Sequence, residues 1–434
     1  MHAHVILAAG QGTRMRSRLP KVLHPLLGKP LVAYAVEAAL ALEPERLVVV
    51  VGHGGEKVVE ALEGYPVEVA WQKEQLGTAH ALLQAEPLLQ GFPGPFLVTQ
   101  GDTPLLSPKT LKALLERVEE GVGMALLAVE LEDPTGYGRL LRDGEEVLGN
   151  VEEKDASPEV RAIREVNAGA YAFDGLLFQA LKEVGNENAA REYYLPDLIA
   201  IYRAHSKRVV AVRGVAEEAL GVNTREELAR VEGALLGRLR GEWMRKGVRM
   251  ILPETIYLEP SVELAPDVTL WPGVVLKGRT RIGEGCEVGA YSLLEDTVLE
   301  PGAKVLAHTV AQGAHLHPGA SAGPFARLRP GAVLGEEVYV GNFVEVKQSL
   351  LHRGVKAGHL AYLGDAEVGE GTNVGAGVIT ANYDGKRKHK TLIGKKAFIG
   401  SNSVLVAPVR VGDRALVGAG SVITQDVPEG ALAV

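Results

Sequence analysis

The first half of the sequence alternates short apolar runs with segments in which apolar residues recur every three or four positions. The runs are typical of buried strands, and the wider spacing is typical of helices that bury one face. The runs cover 4–9, 47–51, 67–70, 96–101 and 125–129, and the helical segments between the early runs cover 31–42, 56–62 and 77–89. Strands that alternate with helices predict an α/β domain over residues 1–223, with a mostly parallel sheet covered on both faces.

One long helical pattern follows over residues 224–247. Thr224 is a typical N-cap residue, and Glu227 stands three positions later, which is the spacing of a capping box. Gly247 is a typical helix stop. We therefore predict a connecting helix between two domains.

The period changes to six over residues 248–434. A six-residue period fits neither a helix nor a plain strand, and it is the signature of a parallel β-helix. Each hexad would form one short strand and one turn, and three hexads would close a triangular coil around an aliphatic column. The aliphatic positions are Leu258, Leu264, Leu270, Leu276, Ile282, Val288 and Leu294; Val310, Leu316, Ala322, Leu328, Leu334, Val340 and Val346; and Ile393, Ile399, Leu405, Val411, Val417 and Ile423.

One segment interrupts the hexads. Residues 381–390 read ANYDGKRKHK and carry no aliphatic repeat, so we expect them to loop out of the coil. The basic run 386–390 leaves two interpretations open, a solvated charged loop or a binding surface for the phosphates of a ligand.

Composition narrows the class of protein. Glycine accounts for 52 of 434 residues, which is high and agrees with many tight turns, and the net charge of −8 predicts no broad basic face for nucleic acid. The single cysteine, Cys286, excludes an intramolecular disulfide. No apolar run is long enough for a membrane span, and no secretory signal is visible, so we expect a cytoplasmic protein.

A glycine-rich loop follows the first apolar run. Residues 7–15 read LAAGQGTRM, and Pro20-Lys21 comes soon after. Backbone N–H groups in such a loop can bind phosphate, and Arg14 and Lys21 would add positive charge. Taken alone, the loop is more often only a tight turn, because it lacks the third glycine of a dinucleotide-binding loop.

Asp102 follows the run 96–101, where ligands of parallel sheets bind. A carboxylate there can hold a hard cation or can simply cap a turn, and Asn223 fits a turn by the same logic.

Together, these motifs resemble a known family. Residues 4 to about 230 resemble the nucleotide-sugar pyrophosphorylases, and the second half resembles the hexapeptide acyltransferases. In this order they resemble the bacterial bifunctional N-acetylglucosamine-1-phosphate uridylyltransferases/glucosamine-1-phosphate N-acetyltransferases. The matching stretches are 7–15, 20–21, Gln72, 76–78, 101–102, 136–139, Glu152, 167–169 and 222–223.

The resemblance implies a Rossmann-like nucleotidyltransferase domain, a left-handed β-helix and a homotrimer. It also implies acetylation of glucosamine-1-phosphate by acetyl-CoA, then transfer of uridylate from UTP to N-acetylglucosamine-1-phosphate with Mg²⁺, feeding cell-wall precursors.

For the first site, the resemblance implies that Arg14 and Lys21 meet phosphates and that Asp102 and Asn223 bind Mg²⁺. The other residues that match nucleotide or sugar contacts are Leu7, Ala8, Ala9, Gly10, Gln72, Gly77, Thr78, Gln100, Gly101, Gly138, Glu152 and Asn167.

For the second site, the resemblance aligns His359 with the proton acceptor, although a lone histidine on a coil is more often only solvated. Acetyl-acceptor contacts are implied for Arg329, Lys347, Tyr362 and Asn373, and acetyl-CoA contacts for Ala376, Asn382, Tyr383, Ser401 and Ala419. Relatives continue into a basic tail with an arginine that contacts acetyl-CoA. This sequence ends at Val434 without it, so either another cation substitutes or coenzyme affinity is weaker.

Two other functions stay open at this point. One is a single-activity sugar-nucleotide pyrophosphorylase whose β-helix is a structural stalk. The other is a regulatory subunit that binds sugar nucleotides without turning them over. His359 with the Asn382-Tyr383 pair argues against the stalk, and Lys21, Asp102 and Asn223 argue against the regulator.

Overall fold

The structure, a computed structural model, describes residues 1–188 and 190–434. Its contacts divide the chain into two compact units, Met1–Leu235 and Leu236–Val434. The units meet in sequence within the long helix Arg225–Arg245, in the stretch where the sequence predicts a helix over residues 224–247. Glu227 accepts hydrogen bonds from the N–H groups of Asn223 and Thr224, and the Thr224 hydroxyl accepts one from the N–H of Glu227, so the capping box is formed.

A mixed sheet forms the centre of the first unit. Four strands that share one direction lie side by side, and Glu165–Phe173 then runs antiparallel between Phe96–Gln100 and Met124–Glu130. The parallel prediction thus holds for the four early strands, while the later strands pair in both directions. In spatial order, the strands of the described residues are Glu68–Trp71, Arg46–Val51, Ala3–Ala8, Phe96–Gln100, Glu165–Phe173, Met124–Glu130, Val209–Arg213, Glu146–Val151 and Arg139–Asp143.

Helices of the first unit pack apolar side chains onto this sheet. The predicted segment 77–89 is shorter than expected: the helix ends at Leu83, and a separate turn of 3₁₀ helix covers Glu86–Leu88. Pro87 explains the break, since proline cannot donate the N–H that a continuous helix needs. The α-helices are Leu31–Leu40, Gly55–Ala61, Thr78–Leu83, Pro108–Glu119, Pro158–Arg161, Leu177–Leu181 and Leu198–Ala204.

The second unit is the parallel β-helix that the hexads predict, with the left-handed coil that the family resemblance implies. Each strand pairs with the third strand after it, so three sheets form the faces of a prism and enclose an aliphatic column. Ala381 still belongs to the strand Ile379–Ala381, so the insertion leaves the coil only over residues 382–390; as a result, Thr380 pairs with Leu405, 25 positions later, instead of 17 or 18.

The strands of the three faces are short. The first face holds Arg249–Met250, Thr269–Leu270, Glu287–Val288, Lys304–Val305, Ser321–Ala322, Tyr339–Asn342, Lys356–His359, Asn373–Val374, Phe398–Ile399, Leu416–Val417 and Leu432–Ala433. The second holds Tyr257–Leu258, Val275–Lys277, Leu293–Glu295, Val310–Gln312, Arg327–Leu328, Glu345–Lys347, Tyr362–Gly364, Ile379–Ala381, Val404–Val406 and Val422–Ile423. The third holds Glu263–Leu264, Arg281–Ile282, Val298–Leu299, His315–Leu316, Ala332–Leu334, Ser349–Leu351, Ala366–Val368, Thr391–Ile393 and Val409–Val411.

One predicted core position is wrong. Val310 is 38% exposed, whereas Ala311 is fully buried in the column. The cause is the length of the coil: Leu258 pairs with Leu276, 18 positions later, but Leu294 pairs with Ala311, only 17 positions later. A coil with one residue fewer moves the inward position by one, and side chains of a strand alternate between its faces.

Candidate functional sites

A cavity of about 300 Å³ opens at the carboxyl ends of the strands Ala3–Ala8 and Phe96–Gln100. This end of a parallel sheet is where ligands of such folds bind. Ten of the sequence-predicted residues line the cavity, namely Leu7, Ala8, Ala9, Gly10, Lys21, Gln72, Gly77, Thr78, Gln100 and Asp102.

The Lys21 ammonium lies between two oxygen atoms at the edge of this cavity. It is 2.5 Å from Oδ2 of Asp102 and 2.9 Å from Oδ1 of Asn223. The backbone fixes these partners, because the N–H of Val222 donates to the carbonyl of Asp102 at 3.0 Å and brings Asn223 beside it. A carboxylate oxygen and an amide oxygen therefore both contact one cation.

The loop around Gly77 is bound to a distant segment. The N–H of Tyr193 donates to the carbonyl of Leu76 at 2.8 Å, and the N–H of Leu195 donates to the Thr78 hydroxyl at 2.9 Å. Gly77 has a φ of +109°, and a Cβ there would lie 2.5 Å from the Tyr193 carbonyl oxygen, so only glycine fits. This pairing forms one wall of the cavity.

A larger cavity of about 690 Å³ shares Thr78, Gln100 and Tyr194 with the first. Arg14 and Glu152 also line it. Burial, and to a smaller degree the nearby Glu152 carboxylate, raises the pKa of Asp197, which follows the lining residue Pro196. The two cavities together offer room for a nucleotide and an attached group.

Four other predicted residues line neither cavity but make hydrogen bonds next to them. Gly101 donates its N–H to the carbonyl of Leu7 at 2.8 Å, and the carbonyl of Gly138 accepts from the N–H of Asn167 at 3.0 Å. The Asn167 amide donates to the hydroxyl of Tyr171, which lines the larger cavity, at 2.9 Å. Asn223 reaches the smaller cavity through Lys21.

Tyr194 is a lining residue that the sequence motifs did not identify. It borders both cavities and follows Tyr193, whose backbone pairs with Leu76 more than a hundred positions earlier. The sequence before Leu195 is polar and has no glycine-rich motif, so it gives little indication that Tyr194 lines a binding site.

In the second unit, His359 belongs to a column of residues that stack from coil to coil at one corner of the prism. Asn342 pairs with His359 in the sheet, and Nδ1 of His359 lies 3.1 Å from Oδ1 of Asn342. Each member of the column stands two positions after the inward residue of its strand, and these inward residues pair in register. From coil to coil, the members are Asn342, His359, Ala376, Ser401 and Ala419.

A second group of predicted residues surrounds Asp365. Its Oδ2 atom accepts a hydrogen bond from Asn382 Nδ2 at 2.6 Å, and Lys347 Nζ lies 3.4 Å away. Asn382 also donates to the Tyr362 hydroxyl at 3.3 Å. Gly364 leaves the room for this contact, since a Cβ there would lie 2.3 Å from that hydroxyl oxygen. Insertion and coil thus meet at one carboxylate.

The same group is rich in positive charge. Lys388 is a further member that, like Asp365, no sequence motif identifies, because it stands in the middle of the basic run. Hydrogen bonding with Lys347 and repulsion from that ammonium lower the pKa of Lys388, and Arg329 adds to the repulsion. Lys347 and Arg329 thus both repel the Lys388 ammonium, and a group of cations of this kind favours an anionic ligand.

Two predicted residues lie apart from the Asp365 group. Asn373 pairs with Lys356 and Phe398 on the face that carries His359. Tyr383 is 61% exposed, and its hydroxyl donates to the carbonyl of Gly385 within the insertion.

Asp384 organises the insertion. Its carboxylate accepts hydrogen bonds from the backbone of Lys386 and Arg387 and lies 2.7 Å from Nε2 of His389. The hydrogen bond from the Arg387 backbone, followed by those from His389 and Lys386, lowers the pKa of Asp384 to about 2.

Comparison with known proteins agrees with this division. Residues 4–168 match the MobA-like NTP transferase domain, and residues 390–425 match the hexapeptide repeat of succinyl-transferase. The chain is 91% identical over 434 residues to the bifunctional protein GlmU of two strains of Thermus thermophilus, covering all of this chain and 96% of each relative. GlmU of Halalkalibacterium halodurans is 47% identical, over 99% of this chain and 95% of the relative.

The fold and its two sites therefore define a two-domain transferase that joins a nucleotidyltransferase to an acyltransferase. The chain belongs to the GlmU family of bifunctional proteins, which combine a uridylyltransferase and an acetyltransferase in the synthesis of UDP-N-acetylglucosamine. Among the described residues, no helix is long and apolar enough to span a membrane.

Proposed function

We propose that the uridylyl transfer takes place at the cavity beside Lys21. The observation that carries this proposal is the convergence of Asp102 and Asn223 on one cation. A carboxylate and an amide oxygen are hard donors that suit Mg²⁺, and the Lys21 ammonium marks the point where a cation fits between them. Bound there, Mg²⁺ would offset the negative charge of the phosphates.

The protein's own groups have distinct roles in this step. The phosphate oxygen of N-acetylglucosamine-1-phosphate attacks the α-phosphorus of UTP, a new P–O bond forms, and the bond to pyrophosphate breaks. Arg14 and Lys21 offset the repulsion between the two anions and stabilise the charge that develops on the transferred group. No protein nucleophile is needed.

The remaining residues of the first site bind the substrates. We assign uridine to the smaller cavity and the sugar to the larger one. The uridine set is Leu7, Ala8, Ala9, Gly10, Gln72, Gly77, Thr78, Gln100 and Gly101, and the sugar set is Gly138, Glu152 and Asn167.

We propose His359 as the general base of the acetyl transfer. An amide oxygen only accepts hydrogen bonds, so the contact with Asn342 Oδ1 requires a proton on Nδ1 of His359. Nε2 of the neutral ring then has a free lone pair and can take the proton of the attacking amine. The amine of glucosamine-1-phosphate forms a C–N bond with the acetyl carbon, and the C–S bond breaks to release coenzyme A.

The remaining residues of the second site divide into two groups. Arg329, Lys347 and Lys388 form a cationic group that suits the phosphate of the acceptor, and we place the sugar at Tyr362 and Asn373. The small side chains above His359 in its column give acetyl-CoA a path along the prism. We assign it Ala376, Asn382, Tyr383, Ser401 and Ala419. We also propose that the protein is a cytoplasmic homotrimer.

Two product assays on one preparation test this proposal. With acetyl-CoA and glucosamine-1-phosphate, thiol release should accompany acetylation; with UTP, Mg²⁺ and N-acetylglucosamine-1-phosphate, pyrophosphate should appear. Both products are expected. Pyrophosphate without thiol would favour the structural-stalk alternative, and neither product would favour the regulatory subunit.

A further inference from the structure

Two histidines and a glutamate form a cluster on the third face of the prism, whereas His359 lies on the first. His315 and His317 stand on either side of Leu316, which is fully buried. Because side chains of a strand alternate, both histidines point outward when Leu316 points inward. Glu300 lies beside them on the preceding coil, since Leu299 pairs with Leu316.

The three side chains converge on a small volume. Nε2 of His315 lies 2.9 Å from Oε1 of Glu300, and Nδ1 of His317 lies 3.1 Å from Oε2. One ligand atom from each residue lies within 4.8 Å of the other two. All three side chains are about one-third exposed, so an ion can reach them from solvent.

The chemistry of this donor set differs from that of the uridylyl site. Two imidazole nitrogens and one carboxylate oxygen form a set that binds Zn²⁺ and its neighbours in the first transition row. Mg²⁺ and Ca²⁺ prefer oxygen donors alone. Three protein ligands would also leave a coordination position open to water.

We propose that Glu300, His315 and His317 form a binding site for a divalent transition-metal ion, with Zn²⁺ as its best probe, and that the ion joins two successive coils of the β-helix. The alternative is an ordinary pair of surface ion pairs, which contribute little to stability. The proposal is independent of both catalytic assignments.

The chain itself offers a matched control. His352 and Glu367 form a pair on the same face, with Nε2 of His352 2.8 Å from Oε1 of Glu367. His352 occupies the position of His317 two coils further on, because Leu316, Leu334 and Leu351 pair in register. This pair has one histidine instead of two, so it tests whether a single His–Glu contact is enough.

Zn²⁺ titration of the untagged, chelator-treated full chain tests the proposal. Mg²⁺ should be present to occupy sites that contain only oxygen donors. We expect one Zn²⁺ per chain at this site and a rise in the melting temperature of the second unit. His315→Gln should weaken binding by at least about 100-fold, because even a residue that only hydrogen-bonds to a metal ligand changes metal affinity by 10- to 100-fold. His352→Gln should bind as the wild type does.

X-ray absorption on the zinc-loaded protein should show nitrogen and oxygen ligands at about 2.0–2.2 Å. Acetyl transfer and oligomer size should be unchanged in each variant, which establishes that it is folded; if His315→Gln fails this check, His317→Gln decides instead. Unchanged Zn²⁺ affinity in the folded variant would overturn the proposal. An equal loss in His352→Gln, or one ion for every three chains, would also overturn it.

Discussion

The Lys21 ammonium lies 2.5 Å from Oδ2 of Asp102, although 81 positions separate the two residues in the chain. Both side chains are largely shielded from solvent, so the pair is not an ordinary surface ion pair. Lys21 also contacts Asn223, so one cation touches both oxygen atoms that we assign to Mg²⁺. Under that proposal, Lys21 would leave these oxygens for phosphate when Mg²⁺ binds.

Asn223→Ala should raise the Mg²⁺ concentration needed for half-maximal pyrophosphate release by at least about tenfold. The variant removes one oxygen donor and leaves Asp102 in place, and even indirect partners of a metal ligand change affinity by 10- to 100-fold. Asn223→Asp keeps an oxygen at the same position and should restore the Mg²⁺ response. A Mg²⁺ titration in which Asn223→Ala matches the wild type would remove Asn223 from the metal site.

His359→Ala should lower kcat of acetyl transfer by about 10² to 10⁴-fold with little change in KM, as expected for the loss of a positioned base. Asn342→Ala should lower kcat less, because the imidazole stays but loses the contact that orients Nδ1. A mutant that keeps kcat within about threefold and raises only KM would make His359 a binding residue.

Asp384→Asn should loosen the insertion and raise KM for acetyl-CoA, with little effect on uridylyl transfer. Since folding lowers the pKa of Asp384 to about 2, the carboxylate favours the ordered loop above its ordinary pKa near 4, and this contribution is lost as pH falls towards 2. Hydrogen exchange of the peptide spanning residues 382–390 should therefore be slow at pH 6 in the wild type and fast in the variant. Equal exchange in both proteins would show that other contacts order the loop.

The buried His4 should make the first unit less stable in acid. Burial lowers the pKa of His4 to about 3, and its Nε2 lies 2.8 Å from the Thr99 hydroxyl. Below about pH 6.5, His4 binds a proton in the unfolded chain but stays neutral in the folded chain. The free energy of unfolding therefore falls as the pH decreases from 6.5 to 3, by at most about 1.4 kcal/mol per pH unit.

Hydrogen exchange of the strand Ala3–Ala8, followed between pH 4 and 7 and corrected for intrinsic rates, measures this slope. His4→Gln should reduce this dependence of stability on pH. A smaller dependence should remain from His2, because burial also lowers the pKa of His2. His53→Gln, at an exposed position, should keep the full slope. An unchanged slope in His4→Gln would assign the acid sensitivity elsewhere.

The sequence predicts the elements of this fold better than their register. The hexads identify the β-helix because each inward residue repeats locally, and the capping box of Thr224 and Glu227 is read directly from adjacent positions. Val310 was misplaced because a coil of 17 residues and a coil of 18 have the same local pattern. The number of residues in a coil depends on the conformation of each turn, and the six-residue period does not predict that number.

The candidate sites also contain features that the sequence predicts and features that it does not. The glycine-rich loop and Asp102 are visible as local motifs at strand ends. The wall formed by Tyr193 and Leu76 is not, because it depends on backbone pairing between distant segments. The role of Lys388 beside Lys347 is also hidden in the sequence, since only the path of the insertion brings these two cations together.

Assays of both products on Asp102→Ala and His359→Ala test the central claim, that each unit of the chain carries one complete reaction. Pyrophosphate release and coenzyme A release should be measured on the same preparation of each variant. The account predicts a reciprocal result: Asp102→Ala loses pyrophosphate release and keeps acetyl transfer at the wild-type rate, while His359→Ala does the opposite. Loss of both activities in either folded variant, or loss of neither, would contradict it.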